Sequence, residues 1–188
     1  MKKLNILIPQ YNEYEIDISP LLDSIAIQQN IDFDEIGVII CNDGSECILS
    51  DNFLESYPFE IQYFKEPHRG VSATRNFLLD KSDAEYVMFC DADDMFYNAC
   101  GLWILFREFE NGDFDTLLSV FVEETRDAAG NVMYINHEVD TTFVHGKVHR
   151  KQYLIDNDIR FNDSLTIHED SYFTLLTHNC TDSSRIKF

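Results

Sequence analysis

The sequence predicts an α/β fold with a mostly parallel central sheet. Short apolar runs, too short for helices, alternate with amphipathic stretches along the first half. That β-α-β-α order implies parallel strands joined by crossovers. Residues with chemical character also fall just after the apolar runs, where open α/β sheets bind ligands.

The elements follow in order. Leu4 to Ile8 is apolar and β-rich, and Pro9 is expected to end it. Ser19 and Pro20 suggest an N-cap with proline at the first helical position. Ile18, Leu21, Leu22 and Ile25 then supply the core face of a helix. Ile36 to Cys41 is a second strand, and Asn42-Asp43-Gly44-Ser45 is a turn in which Ser45 is available to cap a short helix. Phe59 to Phe64 is a third strand, followed by a loop at Pro67-His68-Arg69-Gly70 and a helix over 71–79. Glu85 to Cys90 is a fourth strand running straight into Asp91, Asp93 and Asp94. Ala99, Leu102, Trp103 and Phe106 mark another helix. The second half is less regular. A strand is expected over 116–123, with a hairpin partner over 132–135 after the Asp127–Asn131 turn. Val144 to Lys147 is expected to be a loop opening a helix over 150–156, and a last helix presents Tyr172, Phe173, Leu175 and Leu176.

A single domain over 1–188 is the default at this length, with a nucleotide-binding half over 1–110 and an acceptor-side half over 111–180. The polar segment 181–188 is expected to be a poorly ordered tail. The chain has 34 acids against 14 bases, a formal charge of −20, which argues against nucleic acid and anionic lipid as partners. An anionic ligand then needs a local basic patch or a metal. The five cysteines are odd in number, with Cys41 and Cys90 at strand ends; buried, reduced thiols and a cytoplasmic location are expected. Polar residues interrupt the N-terminal run too early for a leader, and no apolar run is long enough to span a membrane. Association with the inner face of a membrane would require a partner.

Several residues have two readings. Asp91 and Asp93 are two apart, and in an extended segment both would point to one side, where a hard cation relieves their repulsion. A solvated acidic turn is the competing reading. Asp43 is suited to accept N–H bonds from a nucleobase, but Asn-Asp-Gly is also an ordinary turn. Arg69 and Arg75 bracket a helix N-terminus suited to phosphate, or simply pair with surface carboxylates. Glu169 and Asp170 open the last helix. Adjacent helical residues face different ways, so only one is expected to reach a cleft, with Asp170 as the candidate base; the competing reading is that both simply favour the positive helix end. His145 and His178 are candidate metal ligands or polar surface.

Taken together, Pro9-x-Tyr11-Asn12, Asn42-Asp43-Gly44-Ser45, Gly70 with Arg75-Asn76, Asp91-x-Asp93-Asp94, His145-Gly146-Lys147 and Glu169-Asp170-x-x-Phe173 resemble the family-2 glycosyltransferases of GT-A fold. The motifs occur in family order across most of the chain. The resemblance implies inverting transfer from a nucleoside-diphosphate sugar, usually UDP-linked, to an acceptor hydroxyl, typically on a saccharide of an envelope or capsule polymer, with protein and small-molecule acceptors left open. It implies that Pro9, Tyr11, Asn12 and Glu13 frame the nucleoside, and that Asp43 binds the base. Arg75 would lie near the base or pyrophosphate, and Asp91 and Ala92 would contact the donor. It further implies that Asp93, with Asp91, ligates Mn²⁺ or Mg²⁺, and that Asp170 deprotonates the acceptor. Asn42 departs from the family's usual acid. The chain also ends soon after Phe173, where longer members continue, often with a metal-binding histidine; His145 or His178 would have to replace it. The alternative is a nucleotide-sugar-binding module of the same fold that does not turn over. A nucleotidyltransferase is disfavoured because the loop after the first strand has neither glycine nor base. A receiver-like switch is disfavoured because no phosphoacceptor Asp follows the third strand.

Overall fold

The computed structural model describes residues 1–138 and 140–187. A seven-stranded sheet runs in the order β3-β2-β1-β4-β8-β5-β9. β1 (Leu4–Gln10), β2 (Ile36–Asp43), β3 (Glu60–Glu66) and β4 (Tyr86–Phe89) are mutually parallel. β8 (Lys147–Arg150) is antiparallel to both its neighbours, β4 and β5 (Thr116–Leu118), and β9 (Ile186–Lys187) returns parallel to β5. The sheet is thus parallel in the first half and mixed in the second, as expected.

Helices cover both faces, and strand alternation divides the core between them. Leu4, Ile6, Ile8, Val38 and Ile40 pack with Leu21 and Leu22 of α1 (Glu15–Ala26) and Leu102 and Leu105 of α4 (Gly101–Asn111). Leu7, Ile39, Cys41, Val87 and Phe89 pack on the other face. They meet Leu78 and Leu79 of α3 (Val71–Lys81), Leu154 of α5 (Lys151–Asp156) and Phe173 of α6 (Glu169–Cys180). Burying each such side chain contributes about 1.5–3 kcal/mol.

The differences from the sequence expectations have local causes. Pro9 does not end β1. Leu7 offers its carbonyl to Cys90 on the β4 side, so Pro9, two residues on, turns its missing N–H to that side, where β4 has already ended. α1 begins at Glu15, not Pro20; the Tyr14 N–H donates to Asp17 Oδ2 at 2.8 Å. Pro20 lies inside this helix, and the Ile16 carbonyl it orphans accepts from Ser19 Oγ at 3.3 Å. Ser50, not Ser45, caps the short α2 (Asp51–Leu54), while Ser45 donates to Asn42 Oδ1. The expected strand over 116–123 is two strands. β5 joins the main sheet, and β6 (Phe121–Arg126) pairs with β7 (Val132–His137) in a separate hairpin. Lys147 belongs to strand β8, not to a loop. Tyr172 and Leu175 face solvent, whereas Phe173 is buried. The tail is docked. Arg185 holds Asp115 through Nε (2.5 Å) and Nη2 (2.6 Å), and β9 adds to the sheet. Phe188 lies outside the described residues.

Candidate active site

The strand order places the site. β1, β2 and β3 step one way across the sheet, and β4 returns to the other side of β1. Loops leaving β1 and β4 therefore diverge and open a crevice at their carboxyl ends. A cleft of about 350 Å³ lies there. It is lined by Pro9, Gln10, Tyr11 and Glu13 after β1, Asp43 of β2, His68 and Gly70 after β3, Thr74 and Arg75 of α3, Asp91 to Asp93 after β4, and Glu169 of α6.

Beneath it lies a charge cluster. Arg75, 2% exposed, bonds Asp91 Oδ1 through Nη2 (2.8 Å) and reaches Glu169 Oε1 (3.2 Å) and Asp170 Oδ1 (2.5 Å) through Nη1. Its Nε is buried and has no partner among the described residues. Burial opposes the guanidinium's charge, but Asp91 and Asp170 outweigh it and hold its pKa above the usual value. Burial pushes the Asp170 carboxyl up; Arg75 pulls it back, and Glu169 and Asp91 push it further up. Both Glu169 and Asp170 bond Arg75, but only one of the pair lines the cleft, as expected of adjacent helical residues, and it is Glu169 rather than the expected Asp170. His168, which precedes them, is left-handed at φ 62°.

The segment after β4 is a tight turn rather than an extended one. The Asp94 N–H donates to Asp91 O at 3.1 Å, and Asp94 Oδ2 accepts from the Asp91 N–H at 2.9 Å. Asp91 and Asp93 line the cleft because the chain turns there, not because strand alternation aligns them. Asp93 is exposed. His145 Nδ1 meets Asp94 Oδ2 at 3.2 Å, and that hydrogen bond raises its pKa. Buried Lys147 bonds Asp140 and the carbonyls of Phe143 and His145, which fixes the loop that carries His145. His178 lies two turns and more along α6 from Asp170, about 12 Å by helical rise, and its pKa is lowered by burial. It is not brought to the acidic turn. Burial drives the Cys90 thiol well above its ordinary pKa, so it is an inert core residue.

Asp43 is 3% exposed, and both its oxygens are engaged: Oδ1 accepts from the Arg69 N–H (2.8 Å) and Oδ2 from the Gly70 N–H (2.9 Å). Asn12, at φ 71°, shapes the turn after β1 and does not line the cleft. Glu13 Oε2 accepts from the Tyr11 N–H at 2.5 Å. Arg69 points to Glu66 on the surface. Sequence reasoning did not name Gln10, His68, Val71 or Thr74 as cleft residues, and of the Glu169–Asp170 pair it favoured Asp170, whereas Glu169 lines the cleft. Only position offered a signal: Gln10 and His68 immediately follow Pro9 and Pro67, at strand ends.

A parallel sheet whose switch point carries an acidic turn is the arrangement of GT-A nucleotide-sugar transferases. The chain matches the model of glycosyl transferase family 2 over residues 5–171, and it belongs to that family. It is 28% identical over 184 residues to the minor teichoic acid biosynthesis protein GgaB of Bacillus subtilis, covering 89% of this chain and 20% of that one. It is 26% identical over 186 residues to the poly(ribitol-phosphate) beta-N-acetylglucosaminyltransferase TarS of Staphylococcus aureus, covering 93% of this chain and 32% of that one. The chain thus spans a fifth to a third of these relatives' length. The crystal structure of S. aureus TarS 1–349 in complex with UDP-GlcNAc is similar at TM-score 0.74 and 24% identity, covering 98% of this chain and 55% of that one. The mannosyltransferase PcManGT of Pyrobaculum calidifontis, in complex with GDP-Man and Mn²⁺, is similar at TM-score 0.68 and 16% identity, covering 98% and 54%. These two likenesses establish the GT-A fold.

Proposed function

We propose that the chain binds a nucleoside-diphosphate sugar, UDP-linked, in the switch-point cleft and transfers the sugar with inversion to an acceptor hydroxyl of a cell-envelope polymer. The observation that carries this is the convergence of four strand-end loops on one cleft over the Arg75 carboxylate cluster. The volume suits a small ligand. All lining residues but Glu169 come from the first 110 residues, the half expected to hold the nucleotide. Family membership and the UDP-GlcNAc complex of TarS support a UDP donor, and the names of GgaB and TarS support an envelope acceptor.

The donor set fits a hard cation. Among the described residues no three histidines, cysteines or acids are pre-arranged as a cage. Mg²⁺ needs only one or two carboxylates beside substrate phosphate oxygens, and Mn²⁺ accepts the same oxygen-rich ligands. Asp93, exposed at the cleft, and Asp91, whose Oδ1 is shared with Arg75, would hold it; His145 is tied to Asp94. When bound, the cation neutralises the leaving diphosphate as a Lewis acid. Asp170 takes the acceptor's proton. Its raised pKa brings a carboxylate nearer the range in which a general base works best. No helix among the described residues is long and apolar enough to cross a membrane.

Titration calorimetry with UDP, with and without Mn²⁺, tests the donor site. Binding that depends on metal and is lost in Asp93→Ala is expected; a folded protein that binds neither UDP nor GDP under any metal condition would sink the assignment. A second reading, a binding module without turnover, is favoured by one observation: Asp170 does not line the cleft and its Oδ1 is engaged by Arg75. Transfer that Asp170→Asn abolishes while donor binding persists supports the enzyme. Absence of transfer by the unsubstituted chain supports the module.

A further inference from the structure

The hairpin of β6 and β7 stands apart from the main sheet, and two strands alone are marginal in water. Aromatic rings secure one end of it. Phe121 and His137 are cross-strand partners that stack at 4.4 Å with their planes 4° apart. Phe143 meets both rings edge-on, at 5.9 and 6.1 Å, and His145 lies 5.8 Å from Phe143 and 5.6 Å from Phe121. The backbone under Phe143 is fixed: its N–H donates to Asp140 Oδ1 at 2.8 Å, and its carbonyl accepts from Lys147 Nζ and, at 3.4 Å, from Thr174 Oγ1. Thr174 is one turn of α6 beyond Asp170. His145 bonds Asp94; that bond raises its pKa against burial, and the charges of Asp91 and Asp170 add to the rise. The rings thus border the carboxylates read above as metal ligand and base, yet none of them lines the donor cleft. Phe143 is 37% exposed, and Ile135 and Met133, on the hairpin face of His137, extend an open apolar strip away from it.

We propose that this strip is the acceptor platform and that its ligand is an uncharged saccharide: the C–H face of a sugar ring stacks on Phe143 beside Phe121 and His137, which brings a hydroxyl toward Asp170. An aromatic face is electron-rich and attracts the polarised C–H bonds of a pyranose. The charges select against a polyanion. Among the described residues the platform's cations are already paired: His137 with Glu123 (3.0 Å), His145 with Asp94 (3.2 Å) and Lys147 with Asp140 (3.3 Å). Glu123 and Glu138 are exposed, in a chain of formal charge −20. This surface repels phosphate, whereas carboxylates accept hydrogen bonds from sugar hydroxyls. The inference rests on the donor-site reading above and narrows its acceptor.

The test is saturation-transfer NMR on the full chain without nucleotide. The probes are tetramers of β-linked glucose, galactose and N-acetylglucosamine, with poly(ribitol phosphate) as the polyanion. Phe143→Leu keeps apolar volume but removes the ring, and Phe143→Tyr keeps the ring; thermal melting establishes that both fold, and calorimetry follows UDP with Mn²⁺. At least one neutral tetramer is expected to bind with an affinity insensitive to salt, and poly(ribitol phosphate) is not expected to bind. Phe143→Leu should weaken the tetramer about five- to tenfold, the size of one aromatic stack. Phe143→Tyr should retain it, with UDP affinity the same in all three proteins. Binding of the polyanion alone, binding of no probe, or an unchanged tetramer affinity in folded Phe143→Leu would overturn the proposal. An unsubstituted protein that binds a tetramer but no nucleotide would keep the platform and overturn the donor site instead.

Discussion

Replacing Arg75 by methionine keeps an unbranched apolar stem and removes the guanidinium with its charge. It leaves Asp91, Glu169 and Asp170 facing one another without their shared cation. Removing one partner of a buried ion pair costs about 3–5 kcal/mol. The guanidinium is buried, but the carboxylate side chains retain 33%, 17% and 15% of their exposure, so water reaches them and the cost belongs at the lower end. About 3 kcal/mol corresponds to a fall in Tm of about 6–12 °C for a chain of this size. The pH dependence separates this mechanism from lost packing on Phe161, whose ring lies 5.2 Å from the guanidinium. Without Arg75 the folded-state carboxylate pKa values rise, so the folded variant binds more protons than its unfolded chain. Its stability then falls as pH rises above the usual carboxylate range. Urea denaturation followed by circular dichroism should therefore show a larger deficit at pH 7 than at pH 5. A loss below about 1 kcal/mol, smaller than a typical single-site effect, or a deficit identical at the two pH values, would refute the claim that Arg75 neutralises this cluster.

Other outcomes follow from the same structure. His149 is buried with its pKa pushed down to about 3, so between that value and its ordinary one the unfolded chain binds a proton that the folded chain does not. Stability should fall as pH drops through this window, by up to about 1.4 kcal/mol per pH unit; in His149→Gln, denaturation at several pH values should show a shallower slope. Asp170→Asn removes a carboxylate that the folded state ionises reluctantly, so its melting temperature at pH 7 should equal or exceed that of the unsubstituted protein while transfer is lost. Arg185→Ala releases Asp113 and Asp115 and loosens β9. A cost of about 1 kcal/mol, or about 2–4 °C in Tm, is expected for this partly exposed network, and no change would mean that the tail is not anchored by it.

The first half of the fold was legible because its signals are local. Ile36, Val38 and Ile40 face one helix layer and Ile39 and Cys41 the other, and a strand buried on both faces reads as a continuous apolar run. The second half depends on partners remote in sequence. Lys147 and His149 are polar, yet they occupy a central strand because Asp140 with nearby carbonyls, and Thr116, satisfy them. Arg185 needs Asp113 and Asp115 before the tail docks. The site divides the same way. Pro9, Tyr11, Asp43, Arg75, Asp91 and Asp93 were found because they stand at strand ends or in motifs, and all line the cleft. What residue identity could not convey was who holds whom. Asp43 looks like a ligand-facing acid but spends its oxygens on a loop, and Arg75 looks like a phosphate ligand but spends both its terminal nitrogens on carboxylates. In each case a charge is first paired within the protein, although it still lines the cleft, and a more exposed neighbour stands beside it: His68 by Asp43, and Asp93 by Asp91. Buried charges must be paired before they can serve a ligand, so the residue types alone name the cleft's members but not the pairs among them.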